Sequence, residues 1–283
     1  MIAVGDALSK GTKAIQAHGV SRTPLLDASL LLCATTGMTR EQLYAKSEQL
    51  LSDEAEAVYV TLITKRCASQ PIAYLLGNRE FYGRTFTVTP DVLIPRPDTE
   101  VLVETTLELV DGSCGSTILD LCTGSGCIGI TLAAELPHST VTLVDLSEAA
   151  LEVARINAHN LVKRPIELLH GDLYSPLEGR SFDLIATNPP YLTESWYDET
   201  EAQVKAEPKM ALLGGDSDGL SIIRKIVEKA PDHLYKGGIL LIECDHRQQE
   251  DVVELLFGRG FTHIGSKRDL AQLHRVVWGV WNV

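Results

Sequence analysis

The sequence predicts an α/β fold with a mostly parallel sheet, preceded by a small helical bundle and a β-hairpin. From Asp98 onward, short apolar runs alternate with segments of helical periodicity, which is typical of βαβ units whose sheet is covered on both faces. Residues 1–75 carry helical patterns, and residues 76–95 carry a turn between two alternating segments. We therefore divide the chain into a helical domain (1–75), a hairpin linker (76–95) and an α/β domain (96–283).

The composition is that of an ordinary globular protein of about two domains. The chain has 283 residues, 45% hydrophobic and 22% charged, and no apolar run approaches the roughly 18 residues of a membrane span. The cysteines lack metal-ligand or disulfide spacing, so we expect reduced thiols and no metal. They are Cys33, Cys67, Cys114, Cys122, Cys127 and Cys244. With no secretory signal at the amino terminus, we expect a cytoplasmic monomer.

The helical domain carries four short helices with recognisable start and stop signals. The first ends near Gly19, and the second begins with a threonine cap followed by proline at Thr23-Pro24. Thr39 and Gln42 have capping-box spacing at the start of the third, and Ser52 caps the fourth. These helices hold no evident catalytic cluster, so a role in recognising a partner competes with a purely structural role.

The remaining elements follow from periodicity and turn residues. A hairpin is predicted over residues 80–88, with its turn near Gly83-Arg84. The predicted strands cover residues 117–121, 140–145, 166–170, 182–187, 238–243 and 275–280. The predicted helices cover residues 101–110, 128–136, 147–158, 220–227 and 247–257.

The tetrapeptide Asn188-Pro189-Pro190-Tyr191 follows a predicted strand, at the sheet edge where open α/β sheets bind ligands. The Asn188 carboxamide offers one acceptor and two donors. The two prolines lack N–H groups and stiffen the loop, which leaves carbonyl acceptors exposed. Such a loop suits the binding of an amide or amino NH2 group, with the Tyr191 ring against it. An ordinary Pro-Pro turn is the alternative.

A second motif lies between residues 117–121 and the next helix, where Gly124, Gly126 and Gly129 form G-x-G-x-x-G. Asp145 ends the following strand, and its carboxylate can accept hydrogen bonds from both hydroxyls of a ribose. This arrangement predicts a nucleoside-bearing cofactor. NAD and S-adenosylmethionine (SAM) both fit it, and a structural glycine turn is the remaining alternative.

The net charge of −13 disfavours one class of partner. Tight binding to duplex nucleic acid usually requires a basic face, because phosphate contacts supply most of the affinity. An acidic chain can carry a local basic patch, but its average charge argues against a DNA enzyme.

Taken together, these motifs resemble those of the class I SAM-dependent methyltransferases. D-x-x-x-G-x-G begins at Asp120, Asp145 follows, and the N-P-P-Y tetrapeptide is similar to that of enzymes that methylate planar nitrogens, such as adenine N6, guanine N2 or glutamine N5. Essentially the whole chain resembles one branch, the release factor glutamine methyltransferases. The similar segments are residues 81–83, 93–100, 211–220 and 267–271, with an amino-terminal helical domain of this length.

The resemblance implies a seven-stranded Rossmann-like domain that transfers a methyl group from SAM to the side-chain nitrogen (N5) of a glutamine, leaving S-adenosylhomocysteine. In that family the glutamine belongs to the Gly-Gly-Gln motif of peptide chain release factors, and the helical domain and hairpin help to hold the factor. No direct DNA binding and no membrane association are implied. The alternatives are an N6-adenine or other nucleic-acid amino methyltransferase, an NAD-dependent dehydrogenase and a non-catalytic binding protein.

The resemblance and the chemistry of the residues together predict the site. The cofactor-binding residues are Cys122, Thr123, Gly124, Ser125, Gly126, Asp145, Leu146, Asp172, Leu173 and Asn188. The substrate-binding residues are Asn188, Pro189, Pro190 and Tyr191, and of these Asn188, Pro189 and Tyr191 are expected to be catalytic. The Asn188 side-chain oxygen and the Pro189 carbonyl would accept hydrogen bonds from the two N–H groups of the amide, so that no general base is required.

Two positions depart from the superfamily pattern, and several polar residues have a less strongly indicated functional role. Cys122 stands where the superfamily often has glycine, and Leu173 where some relatives carry an aromatic residue. We expect Glu243 to cap a neighbouring backbone rather than to contact substrate. Arg96 and Glu100 are expected to line the cofactor mouth or to form a surface ion pair. Residues 244–246 resemble a metal site only by residue type.

Overall fold

The computed structural model describes residues 1–110 and 115–283, which form two compact units. The first unit contains residues 1–78 and 200–206, and the second contains residues 79–199 and 207–283. The domain boundaries at residues 75 and 95 stay predictions. Cys114 lies outside the described residues, and the other five cysteines are free thiols. No helix of the described residues is long and apolar enough to cross a membrane.

The first unit is a helical bundle with its own apolar core. Its helices are α1 (Val4–His18), α2 (Pro24–Thr36), α3 (Arg40–Ala45), α4 (Asp53–Cys67) and α5 (Ile72–Leu76). Two predicted end signals are confirmed: Gly19 is left-handed with φ 64°, and the Thr39 capping box makes both of its hydrogen bonds. Pro24 begins α2 as predicted, but the predicted cap is wrong, because the Thr23 side chain makes no capping hydrogen bond. The Ser52 side chain accepts a hydrogen bond from the backbone N–H of Ala55 at 3.1 Å. Helix α5 was not predicted, because five residues are too few to show helical periodicity.

The predicted hairpin consists of β1 (Asn78–Phe81) and β2 (Arg84–Thr87). Tyr82 and Gly83 form the turn, and both have positive φ (49° and 69°), as two-residue hairpin turns of the favoured hand require. Phe81 and Phe86 are buried and pack edge to face with ring centroids 6.0 Å apart. The hairpin thereby contributes two aromatic side chains to the core of the second unit.

The second unit alternates helices and strands. Its helices are α6 (Glu100–Leu109), α7 (Cys127–Glu135), α8 (Glu148–Leu161), α9 (Glu194–Glu199), α10 (Ser221–Lys229) and α11 (Gln249–Arg259). Its strands are β3 (Thr117–Leu121), β4 (Thr140–Asp145), β5 (Glu167–His170), β6 (Phe182–Thr187), β7 (Leu234–Glu243), β8 (Thr262–Arg268) and β9 (His274–Trp281).

The strands form one seven-stranded sheet in the order β5-β4-β3-β6-β7-β9-β8. Strands β3 to β7 pair in parallel, and β9 is antiparallel to both of its neighbours. Successive strand residues point to opposite faces: Ile118 and Leu184 enter one apolar cluster, whereas Leu119 and Ile185 enter another. The sheet is therefore covered on both faces, and the predicted Rossmann-like fold is confirmed.

Strand β8 was absent from the prediction. Its sequence Thr-His-Ile-Gly-Ser-Lys-Arg is exposed or half-buried throughout, because β8 is the last strand of the sheet order and β9 is its one neighbour. An edge strand of this kind lacks the apolar alternation by which a buried strand is recognised.

Candidate active site

The parallel register places four functional candidates side by side at the carboxyl edge of the sheet. Leu121 pairs with Val144 of β4 and with Thr187 of β6, and Thr187 pairs with Ile242 of β7. The residues that directly follow Leu121, Val144, Thr187 and Ile242 are, in that order, Cys122, Asp145, Asn188 and Glu243. The glycine loop, the acidic residue and the tetrapeptide therefore meet at one edge, as their positions after strands predicted.

A cavity of about 290 Å³ opens at this edge, entirely within the second unit. Nine of the ten predicted cofactor residues line it: Cys122, Thr123, Gly124, Ser125, Asp145, Leu146, Asp172, Leu173 and Asn188. Gly126, the tenth, is not among the lining residues. Its φ of 81° turns the chain into α7, and an added Cβ would lie 2.4 Å from Ile130 Cδ1. Gly126 therefore determines the path of the loop without lining the cavity.

Asp120 holds the glycine loop against the sheet. Its Oδ2 accepts hydrogen bonds from Thr123 Oγ1 at 2.6 Å and from the Gly129 N–H at 2.8 Å. Burial raises the pKa of this carboxyl to about 7, and the bonds from Thr123 and Gly129 oppose that rise. The D-x-x-x-G spacing contained Asp120, but the sequence did not indicate what its side chain binds.

Asn157 is a second supporting residue that the sequence did not indicate. Its side chain is buried in α8, where Nδ2 donates to the Ser125 carbonyl at 2.9 Å and to the Thr87 carbonyl at 3.0 Å. Its Oδ1 accepts from the Thr87 N–H at 2.7 Å. One carboxamide thus ties the glycine loop to the hairpin.

Both departures from the family pattern have left-handed backbone. Cys122 has φ 57° and Leu173 has φ 49°, a region that costs a non-glycine residue roughly 1–2 kcal/mol. The glycine that the superfamily often has at position 122 would adopt this conformation without that cost. Both residues line the cavity, so the strain lies at the site itself.

The Asp145 carboxylate bridges two loops at the cavity wall. Its Oδ2 accepts from the Gly124 N–H at 2.8 Å, and its Oδ1 accepts from the Ser147 N–H at 2.9 Å. Burial raises the pKa of Asp145, and these backbone donors counteract the effect. An ionised carboxylate has about four lone-pair positions, so each oxygen can accept a further hydrogen bond from a ligand.

The tetrapeptide is anchored at both ends. Asn188 Nδ2 donates to Thr99 Oγ1 at 3.3 Å, and the Tyr191 carbonyl accepts from Gln248 Nε2 at 2.9 Å. Asn188 and Pro190 line the cavity, whereas Pro189 and Tyr191 are not among the lining residues. The Tyr191 ring packs against the apolar cluster that includes Leu220, and burial raises the pKa of its hydroxyl.

The segment over residues 211–220 supports the tetrapeptide from the side. An added Cβ at Gly219 would lie 2.2 Å from the Tyr191 carbonyl oxygen, and one at Gly214 would lie 2.8 Å from Tyr191 Cα. Leu192 and Leu213 pair as an isolated parallel bridge. Gly214 and Gly219 therefore both lie too close to the N-P-P-Y loop to carry a side chain.

Comparisons with known proteins match nearly the whole chain to one family. The PrmC N-terminal domain matches residues 6–77, and the methyltransferase small domain matches residues 97–207. A release factor glutamine methyltransferase of Burkholderia pseudomallei is 40% identical over 279 residues, covering 96% of this chain and 98% of the relative. A protein of the same name from Coxiella burnetii is 39% identical over 273 residues, with the same coverage. This chain belongs to the release factor glutamine methyltransferases.

Solved structures agree on the fold of this family member. A methyltransferase from Pyrococcus furiosus has a TM-score of 0.54 at 17% identity, covering 79% of this chain and 98% of that protein. A 16S rRNA N2 G1207 methyltransferase from Thermus thermophilus, in complex with AdoMet and guanosine, has a TM-score of 0.53 at 22% identity, covering 72% and 50%. The fold is that of the class I methyltransferases.

The structure changes the roles predicted for three charged residues, Arg96, Glu100 and Glu243. Arg96 lines the cavity, as one of its two predicted positions required. The alternative prediction, a surface ion pair between Arg96 and Glu100, is wrong. Arg96 pairs instead with the buried Glu207, and Glu100 Oε1 accepts a hydrogen bond from the Tyr82 N–H at 2.8 Å. Glu243 is 1% exposed, and its Oε2 has no hydrogen-bond partner among the described residues. Its predicted role as a backbone cap therefore has no contact to support it.

Among the described residues, no group of three or more His, Cys, Asp or Glu side chains could hold a metal ion. The Asp245 carboxylate is instead used by Arg247, whose Nε donates to Oδ1 at 2.7 Å and whose Nη2 donates to Oδ2 at 2.9 Å. Arg247 also lies 3.5 Å from the centroid of the Trp196 ring.

Proposed function

We propose that this protein transfers a methyl group from SAM to the N5 atom of the glutamine in the Gly-Gly-Gln motif of peptide chain release factors, as a monomer in the cytoplasm. The observation that carries the proposal is the orientation of Asn188. Its Nδ2 donates to Thr99 Oγ1, so Oδ1 is the end of the carboxamide that this bond does not use, and Asn188 is one of the residues that line the cavity. An acceptor there suits the N–H of an amide substrate.

The cavity residues fit SAM. Asp145 can accept further hydrogen bonds from the ribose hydroxyls. Gly124 has φ 55°, and an added Cβ would meet no atom within 4 Å, so its backbone faces open space beside the cavity. Three carboxylates outnumber two cations in the lining, which suits a cofactor with an ammonium and a sulfonium group. They are Asp91, Asp145 and Asp172 against Arg96 and Lys225. SAM supplies the electrophilic methyl group when bound.

The residues of the tetrapeptide supply positioning rather than proton transfer. An amide nitrogen is a poor nucleophile because its lone pair is delocalised into the carbonyl. Asn188 Oδ1 and the Pro189 carbonyl would accept from the two N–H groups, which orients the nitrogen and stabilises the positive charge that develops on it. Positioning can supply about 7–11 kcal/mol of the barrier. The Tyr191 ring packs against the apolar cluster and does not line the cavity, so Tyr191 would anchor the loop in place.

A protein substrate is favoured over a nucleic acid. The net charge is −13, whereas phosphate backbones are bound by basic surfaces. The helical unit offers a second surface outside the cavity-bearing unit. We propose that this unit and the hairpin help to hold the release factor.

The reaction can be tested with methyl-labelled SAM and three substrates: a release factor, its Gln-to-Ala variant in the Gly-Gly-Gln motif, and DNA. We expect label on the intact factor alone. Label on DNA but not on the factor would contradict the proposed substrate, and equal labelling of both factors would exclude that glutamine as the acceptor.

Asn188→Ala tests the assigned hydrogen bond to the amide. We expect kcat to fall about 10²- to 10³-fold, because the substituted side chain can no longer stabilise the developing charge. The Kd for SAM, measured by calorimetry, should rise much less than kcat falls, because the other residues assigned to the cofactor are unchanged. Asn282→Ala is the matched control, since Asn282 Nδ2 also donates to a threonine hydroxyl, Thr262 Oγ1 at 2.7 Å, but does not line the cavity. A fully active Asn188→Ala variant would refute the assignment.

A further inference from the structure

We propose that Gln248 is a positioning residue for the methyl transfer. Its side chain fixes the carboxyl end of the N-P-P-Y loop, and through that loop the Pro189 carbonyl that would accept from the substrate amide. The inference rests on the proposed function, because it concerns the loop that would bind that amide. Gln248 is 2% exposed and immediately precedes α11. It is not among the residues that line the cavity, so it acts through the loop rather than on a ligand.

The Gln248 carboxamide makes three hydrogen bonds, each to the backbone of a different segment. Its Nε2 donates to the Tyr191 carbonyl at 2.9 Å and to the Asp218 carbonyl at 2.8 Å. Its Oε1 accepts from the Asp245 N–H at 3.2 Å. Because a backbone carbonyl can only accept, the NH2 end must face Tyr191 and Asp218, and the oxygen must face the N–H. The orientation of this carboxamide is therefore fixed by its partners.

Gly219 leaves the space in which the bond to Tyr191 forms. An added Cβ at Gly219 would lie 2.2 Å from the Tyr191 carbonyl oxygen and 2.9 Å from Gln248 Nε2, the two atoms that the hydrogen bond joins. The segment over residues 211–220 thus approaches both partners of this bond. Its Asp218 carbonyl accepts the second hydrogen of the same NH2 group. Gln248 is therefore the side chain that joins this segment to the N-P-P-Y loop and to the start of α11.

The two prolines transmit this anchoring to the Pro189 carbonyl. The ring of each proline fixes its φ near −65°, and each restricts the residue before it to extended conformations. Few backbone rotations therefore remain free between the Pro189 carbonyl and the Tyr191 carbonyl that Gln248 binds. Without the Gln248 donor, the Tyr191 carbonyl loses this partner and the loop can shift toward another. Such a shift displaces the acceptor from the amide, and small displacements of positioning groups are costly in rate.

The same side chain closes a capping box, which is a structural role. Gln248 Oε1 binds the N–H of Asp245, the residue that caps the short turn before α11. This bond uses only the oxygen end of the carboxamide, whereas the bonds to Tyr191 and Asp218 use only the NH2 end. Glutamate serves equally at this position of a capping box. Gln248→Glu therefore keeps the cap and removes both bonds to carbonyls.

The first experiment is Gln248→Glu, with kcat and KM measured on a release factor. We expect kcat to fall about 10- to 100-fold, because the Tyr191 carbonyl then faces an oxygen instead of an N–H donor. The KM for the factor and the Kd for SAM should stay near the wild-type values, since Gln248 does not line the cavity. A residue that only stabilised the fold would lower the melting temperature without lowering kcat in the folded protein.

Gln42→Glu is the matched control. Gln42 occupies the same position in the capping box of α3, where its Oε1 accepts from the Thr39 N–H at 3.0 Å. The same substitution there changes the same atoms, but in the unit that does not contain the cavity. Its kcat should equal that of the wild type.

Gln248→Met controls for the charge that glutamate adds. Methionine has a similar length but no N–H donor, so the Tyr191 carbonyl loses its partner without meeting a carboxylate. We expect kcat to fall about tenfold, again with the Kd for SAM near the wild-type value. If both Gln248 variants melt below the assay temperature, Gln248 is a structural residue and the positioning role is overturned.

A double variant tests whether Gln248 acts through the loop that binds the amide. Residues that act as a unit give losses of rate that do not multiply. Gln248→Glu combined with Asn188→Ala should therefore be about as slow as Asn188→Ala alone. Losses that multiply would show that Gln248 acts independently of the tetrapeptide, which would overturn the inference.

The outcomes separate this inference from the proposed function. A wild-type protein that does not methylate the factor contradicts the function itself. An active wild type, with Gln248→Glu and Gln248→Met equally active, overturns the positioning role and leaves the function standing. A fall in kcat in both variants, an unchanged Kd for SAM and a wild-type rate in Gln42→Glu support it.

Discussion

At the scale of single residues, carboxylate and carboxamide side chains fix the backbone of the glycine loop beside the cavity. Asp120 and Asp145 each bind two groups of the glycine loop and its neighbours, and Asn157 binds three. Glycines give the loop its path, but these side chains hold it in place. Preorganisation of this kind means that a ligand meets donors and acceptors already in position.

Asp145→Ala tests the acidic residue at the cavity wall. We expect the Kd for SAM to rise about 10- to 100-fold, since hydrogen bonds to a charged group contribute about 1.5–3 kcal/mol each and the Gly124 N–H also loses its partner. Calorimetric titration measures the change.

Asp183→Ala is the control for that experiment. Asp183 also accepts two hydrogen bonds, from the Thr117 N–H at 2.7 Å and from Thr117 Oγ1 at 2.8 Å, but at the opposite end of β6. Its SAM affinity should equal that of the wild type. An unchanged Kd in Asp145→Ala would remove Asp145 from the cofactor site.

At the scale of elements, the N-P-P-Y loop depends on a second loop that packs against it. Residues 211–220 approach Tyr191 so closely that two glycine positions have no room for a side chain. This contact links the segment to the tetrapeptide although the two are far apart in sequence. Gly214 and Gly219 allow this close packing against the N-P-P-Y loop.

Gly219→Ala should displace the N-P-P-Y loop. The added Cβ would lie 2.2 Å from the Tyr191 carbonyl, so the loop must move, at a cost of about 1–3 kcal/mol beyond the backbone strain. We expect a lower melting temperature and a kcat reduced at least tenfold, because small displacements of positioning groups are costly.

Gly179→Ala is a control that introduces the same backbone strain as Gly219→Ala without displacing a neighbouring loop. Gly179 has a similar φ of 70°, against 72° at Gly219, but an added Cβ there would meet no atom within 4 Å. Its variant should lose only the strain energy of a left-handed alanine and keep full activity. Equal losses of activity in both variants would show that backbone strain alone, rather than contact with Tyr191, explains the effect.

At the scale of the whole molecule, the chain has two units with separate cores, and the cavity belongs to only one of them. The helical unit contains a buried ion pair: Arg66 Nε donates to Asp27 Oδ2 at 2.7 Å, and the two side chains are 3% and 9% exposed. Further guanidinium donors bind the carbonyls of Val20 and Gln70. Residues 200–206 belong to this unit, where the Arg22–Glu201 pair is largely exposed.

Asp27→Ala should destabilise the helical unit by about 3–5 kcal/mol, because it leaves a buried guanidinium without its counter-charge. Chemical denaturation followed by circular dichroism measures this loss. The Kd for SAM should stay that of the wild type, since every cavity residue lies in the other unit.

Arg22→Ala removes the exposed pair of the same unit, whose side chains are 90% and 50% exposed. Its stability should equal that of the wild type, because solvent screens such a pair. A weaker SAM affinity in Asp27→Ala would contradict the assignment of cofactor binding to the second unit alone.

The sequence by itself determined which segments form most of the sheet, where the two motifs lie and which family the chain resembles. Those features depend on local periodicity, on turn and cap residues, and on motifs read within a few positions of one another. Strand β8 and helix α5 escaped prediction because an exposed edge strand and a single short turn of helix carry no such pattern.

Only the tertiary structure decided which side chains face one another across the site. Thr99, Asn188 and Glu243 come from segments far apart in sequence, and the register of β6 on β7 brings Asn188 beside Glu243. Burial then changes their chemistry, as the pKa of Glu243 shows. Proximity and burial both arise from packing between distant segments, and no local pattern in a sequence contains them.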